Sequence, residues 1–207
     1  NVLLLNGINR CKLLMMKKLL VVLILILTLQ NPLQASDIQD FQIEGMSIGD
    51  SALDFFSKED IIKNSRSYYK NKKFTPVENN NYPFFKTYFA VDFNFKTGDS
   101  KYKIHSLRGV IDYRNKSVSE CKKKLREIFK EISINFQKWE KESITTVNHT
   151  ADPSGKSKYI SGSFWSDQGI ISVSCSDYSE ETGWMDHLGV TIKTRDFNKW
   201  LKIAYEE

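Results

Sequence analysis

Between Val118 and Trp139, the apolar residues Val118, Cys121, Leu125, Ile128, Phe129, Ile132, Phe136 and Trp139 recur at steps of three and four. That spacing places all eight on one stripe of a long α-helix. Ser117 and Glu120 form a Ser-x-x-Glu capping box at its start. An apolar stripe of this length must be buried against another apolar surface, so the rest of the chain has to supply one.

The flanking segments read as strands. From Phe85 to Phe95 the odd positions (Phe85, Thr87, Phe89, Val91, Phe93, Phe95) oppose a more polar even set, which predicts a half-buried strand. Thr97-Gly98-Asp99 supplies a hairpin turn. The return strand, Tyr102–Tyr113, changes phase between Ile104 and Ile111, and Gly109 is the expected bulge. After the helix, residues 140–156 are polar and read as a loop. Strands then follow over Tyr159–Trp165, around Ile171, Val173 and Cys175, and around Leu188, Val190 and Ile192. Phe197, Trp200, Leu201 and Ala204 mark a short terminal helix.

Upstream, residues 36–46 read as an extended lead-in carrying Phe41 and Ile43. Asp50–Phe56 is expected to form a short helix burying Leu53 and Phe56. Ser57 and Asp60 cap a second, through Ile61 and Ile62. Residues 63–83 read as a surface loop. Short local connections make the fold class α+β: a mainly antiparallel sheet of about five strands with helices packed on one side.

The compartment is read from the other end. Met15-Met16-Lys17-Lys18 is a short basic start, Leu19–Leu29 an apolar run of 11 residues, and Leu33-Gln34-Ala35 ends on a small residue. This is the order of a secretory signal peptide, with cleavage expected after Ala35. The run is shorter than the ~20 apolar residues a spanning helix needs, and an uncleaved anchor is the alternative. Residues 1–35 are therefore assigned to a signal peptide with an upstream extension, and residues 36–207 to one α+β domain. The expected location is the periplasm or the medium, with membrane contact only through the export segment.

Export changes the meaning of the charges and the cysteines. Four of the 30 basic residues, and none of the 25 acidic ones, lie in the first 35 positions, so the remaining domain is almost neutral. A neutral domain lacks the phosphate-neutralising charge that nucleic-acid binding needs. Cys121 lies on the helix stripe and Cys175 on a strand face, and an oxidising compartment permits a disulfide between them. Two inert buried thiols are the alternative.

No sequence motif assigns a catalytic or cofactor-binding residue. Gly155-Lys156-Ser157 lacks the first glycine of a phosphate loop, and Ser161-Gly162-Ser163 is not a nucleophile elbow. His105, His149 and His187 are scattered. The one local cluster of metal-ligand types is Asp177, Glu180, Glu181, Asp186 and His187, which could hold a hard cation or simply form a solvated loop. Trp165, Trp184 and Tyr178 could form a binding surface or pack at the rim of the core. Asn115 and Asn148 match glycosylation acceptors, a pattern common by chance.

Ile43–Phe56 (IEGMSIGDSALDFF), the helix after Tyr113 with Cys121, and Cys175 with the later MDHL and Phe-x-x-Trp-Leu segments carry a resemblance. Together they resemble a group of small uncharacterised exported proteins from Pelagibacter-type marine alphaproteobacteria. The resemblance implies export and the two-cysteine framework, and it implies no activity, cofactor or metal.

The expected function is that of an exported envelope protein that binds an unidentified envelope partner or small ligand. The alternatives are a periplasmic metal-dependent hydrolase using the loop from Asp177 to His187, and a membrane-anchored interaction module. Expression of the full chain in a bacterium, followed by fractionation and intact-mass measurement, should give a periplasmic species beginning at Ser36. A membrane-bound species retaining Leu19–Leu29 would overturn cleavage.

Overall fold

The structure is a computed structural model that describes residues 37–80, 82–114 and 116–206. The export segment and Asn115 lie outside the described residues. The strands are β1 (Phe74–Asn80), β2 (Ala90–Lys96), β3 (Ile104–Asp112), β4 (Glu140–Asn148), β5 (Lys158–Trp165), β6 (Gly169–Asp177) and β7 (His187–Thr194). They form one antiparallel sheet in the order β1-β2-β3-β7-β6-β5-β4. The helices are α1 (Lys58–Asn64), α2 (Val118–Asn135) and α3 (Arg195–Leu201). The class is α+β as expected, with seven strands rather than about five.

The two extra strands are the edges, where alternation is weakest. β1 falls in the stretch read as a loop because it contains Pro76. The Pro76 carbonyl faces outward and accepts from Arg66 N–H, so the missing proline N–H also faces the edge and costs no ladder bond. β4 falls in the polar stretch 140–156. Nearly every residue of it is exposed on both faces, so it has no apolar face to reveal it. Its pairing with β5 also slips between Glu142 and Thr145.

The long helix forms as its caps and stripe require. The Ser117 hydroxyl accepts from Glu120 N–H, and the Glu120 carboxylate accepts from Ser117 N–H. Cys121, Leu125, Phe129 and Ile132 are buried across β5, β6 and β7. Gly162 permits this approach, because a Cβ there would stand 2.6 Å from the Phe129 ring. The helix stops at Asn135, but Phe136 and Trp139 stay in the core.

The other half of this face is covered without a long helix. Ile43, Met46, Ile48, Ala52 and Phe56, with Ile61 of α1, pack over Val77, Val91, Phe93 and Leu107. Residues 52–54 form a 3-10 turn that buries Ala52 and leaves Leu53 exposed, the reverse of the expected burial of Leu53. Phe85–Phe89 do not join β2. The Glu44 carboxylate accepts from the N–H groups of Lys86, Thr87 and Tyr88. Those donors are therefore unavailable to a ladder, and Phe84 and Phe85 turn onto Phe56 instead. The bulge in β3 lies at His105, since Phe95 pairs with Ile104 and Asn94 with Ser106. Gly109 instead makes room for the Tyr88 ring, which a Cβ would meet at 2.5 Å.

The helices do not all share one side. α3 buries Phe197 and Trp200 with Tyr69 and Phe74 in a second, smaller cluster. Alternation along β1 puts Phe74 on the face opposite Val77, so α3 covers one end of the opposite face.

Cys121 and Cys175 stand at disulfide distance, with sulfurs 2.08 Å and Cα atoms 6.1 Å apart, across 54 positions of sequence. Closing a loop of that length restricts the unfolded chain by about 4 kcal/mol. Reduction should therefore lower the urea midpoint, and a Cys121→Ala/Cys175→Ala variant should be insensitive to reductant. An equal midpoint with and without reductant in the wild-type protein would contradict the bond.

Candidate functional site: the polar face of the sheet

Strand alternation gives the sheet one apolar face under α2 and one polar face. A single row crosses all seven strands on the polar face: Glu78, Asp92, Arg108, Thr191, Ser172, Ser163 and Glu142. The next row toward the far end contains Ala90, Val110, Gly189, Ser174 and Ser161. Small side chains in this second row leave a shallow floor beside the charged first row.

Arg108 is the centre of the arrangement. Its guanidinium lies against the backbone of β7 at Gly189, where a Cβ would stand 3.1 Å from Nε and 3.3 Å from Nη2. From there Nη2 meets Nε2 of His187 at 2.5 Å. The other imidazole nitrogen, Nδ1, lies 2.8 Å from the Met185 carbonyl and donates to it. That bond fixes the tautomer and leaves Nε2 as the acceptor for Arg108. Burial and the Arg108 charge both push the His187 pKa below its ordinary value. No other hydrogen bond engages the Arg108 fork among the described residues.

Asp92 sits beside Arg108 on the neighbouring strand. Burial pushes its carboxyl up to about 6, and the adjacent Glu78 charge adds to the shift; Arg108 opposes it. Glu78 itself pairs with Arg66 at 3.2 Å. Lys193, further along β7 on the same face, has no ion pair among the described residues, and burial lowers its pKa. Asn94 Oδ1 is buried there without a partner.

Aromatic side chains stand at both ends of this face. At one end Tyr69 packs on Trp200. At the other, Tyr178 lies 4.8 Å from His149, 5.2 Å from Trp184 and 6.0 Å from His187 between ring centroids. His149 Nδ1 accepts from Ala151 N–H, so its Nε2–H donates to the Tyr178 hydroxyl at 3.1 Å. Two of the three histidines thus flank one tyrosine, and the third, His105, lies beside Phe74.

The acidic loop is not drawn together. Asp186 accepts from Tyr178 N–H at 2.7 Å, Glu181 pairs with Lys156, Glu180 is exposed, and His187 turns toward Arg108. Burial, followed by the Asp186 charge, raises the pKa of Asp177. Among the described residues, no three His, Cys, Asp or Glu side chains converge in a way that could hold a metal. Lys156 and Ser157 of the phosphate-loop-like stretch are both occupied, Lys156 with Glu181 and Ser157 with Asp152. Trp165 donates to Glu142 and Ser163, while Trp184 is about half exposed. The cysteine pair lies directly beneath the site, with the Cys121 sulfur 3.9 Å from the His187 carbonyl oxygen.

Sequence reasoning passed over Asp92 and Arg108. Their signal was the even-numbered, polar side of the same alternation that marked β2 and β3. No protein-family model, curated protein or solved structure matches this chain.

The raised Asp92 pKa has a consequence for stability. Between pH ~4 and ~6 the folded protein binds more protons at Asp92 than the unfolded chain does, so this group lowers stability as pH rises through that window. His187 acts in the opposite sense, costing stability as pH falls below its ordinary 6.5. Asp92→Asn should therefore gain stability relative to wild type from pH 4 to pH 6.5, read from urea midpoints. A difference between the two proteins that does not vary with pH would refute the assignment.

Proposed function

We propose that this chain is an exported binding protein of the periplasm or medium, and that its domain holds a small, hydroxyl-rich ligand on the polar face of the sheet. The observation that carries this reading is the Arg108 guanidinium, which lies over Gly189 with one hydrogen bond and an under-used fork. Beside it stand a desolvated carboxyl at Asp92 and the hydroxyls of Thr191 and Ser172. A fork of donors next to a carboxylate acceptor matches neighbouring hydroxyls on one molecule, and the half-exposed Trp184 ring beside Tyr178, at one end of the face, suits the apolar face of a sugar ring. The export signal and the cysteine pair at bonding distance support an oxidising compartment. No helix among the described residues is long and apolar enough to cross a membrane.

Titration with mono- and oligosaccharides, followed by amide NMR, tests the reading. Saturable shifts centred on Gly189, Thr191 and Ser172 are expected. Arg108→Ala should weaken binding by about tenfold or more, and Arg108→Lys should restore it only in part because the planar fork is lost. Shifts confined to the loops, or none at millimolar ligand, would refute saccharide binding on this face.

A further inference from the structure

The apolar face carries a second feature, independent of the polar one. α2 lies across β5, β6 and β7, while the amino-terminal segment covers β1 to β3. Between them lies a cavity of about 390 Å³, with the half-buried Ile111 of β3 and the buried Val190 of β7 at its floor. Phe41, Tyr88, Ile128 and Phe136 form its walls. This size falls within the range of small-molecule sites.

The wall is held in place rather than left to drape. Glu44 accepts three consecutive backbone N–H groups at 2.7–3.0 Å, from Lys86, Thr87 and Tyr88. Burial opposes its ionisation, yet those donors keep the carboxyl below the usual range. The Tyr88 ring lies on Gly109, and its hydroxyl makes no hydrogen bond among the described residues.

The rim carries the selective charge. Lys124 is engaged by Glu127 at 3.3 Å. Glu131 also lines the opening and has no ion pair or hydrogen bond among the described residues. Asp40, also at the rim, is already engaged, its carboxylate accepting from Asp37 N–H. The charge at the mouth therefore favours a cation, while aliphatic and aromatic surface forms the interior.

We propose that this cavity binds a small amphiphilic amine, with an apolar body on Ile111 and Val190 and an ammonium head at the rim facing Glu131. The aromatic walls of Phe41 and Tyr88 also favour a cationic head over an anionic one.

Three probes of equal length separate the contributions of body and head: hexylamine, hexanoate and hexanol. Each is titrated into the purified protein while the methyl resonances of Ile111 and Val190 are followed. Hexylamine should shift these methyls saturably and bind about tenfold tighter than hexanoate. Glu131→Gln, an exposed and structurally mild change, should move that ratio toward one and leave hexanol affinity unchanged. Thr87→Trp, at the mouth, should weaken all three. Equal or tighter binding of hexanoate, a hexylamine affinity insensitive to Glu131→Gln, or no methyl shift with any probe would overturn the proposal.

Discussion

A sheet of seven strands about 4.8 Å apart is roughly 29 Å wide, and a helix with its side chains is about 10 Å across. The one long helix among the described residues therefore covers only part of one face. The remaining architecture follows from that mismatch. α2 takes β5 to β7, where Gly162 lets Phe129 descend onto the sheet. The amino-terminal segment and α1 take β1 to β3. The seam between the two covers is the cavity, and the opposite face, with α3 on one end only, is left to polar side chains.

The charges of the polar face lie in one series across the sheet rather than as isolated pairs. Arg66, in the segment before β1, is followed across the sheet by Glu78, Asp92, Arg108 and His187 on β1, β2, β3 and β7. Asp92 and His187 are the desolvated members of the series, a carboxyl and an imidazole whose pKa values move toward each other. The backbone of β7 takes part through an absence: at Gly189 there is no side chain, so the guanidinium can lie flat and reach His187.

The sequence was most legible where one face is apolar and the other wet. The stripe and capping box of α2, the hairpin at Gly98, the alternating residues of β6 and β7, and the inward faces that carry Cys121 and Cys175 were all readable from spacing. Legibility failed at the sheet edges and wherever a side chain took over backbone hydrogen bonds. β4 lacks an apolar face, so period two has nothing to act on. Tyr88 and its neighbours look like a strand, but Glu44, more than forty residues away, claims their donors. The site was hidden for a related reason. Asp92 and Arg108 acquire their character by lying opposite each other across two strands, and a linear sequence shows that register only after the bulge at His105 is placed.

The offset in β4 also bears on how such a chain survives among many copies of itself. Its outer edge exposes backbone donors and acceptors, a template for other strands to add to. The slip between Glu142 and Thr145 breaks the regular repeat of those groups, and Glu140, Lys141 and Glu142 crowd one end of the edge with charge. An incoming strand would find its register interrupted partway along. The irregularity thus acts as a barrier to edge-to-edge polymerisation.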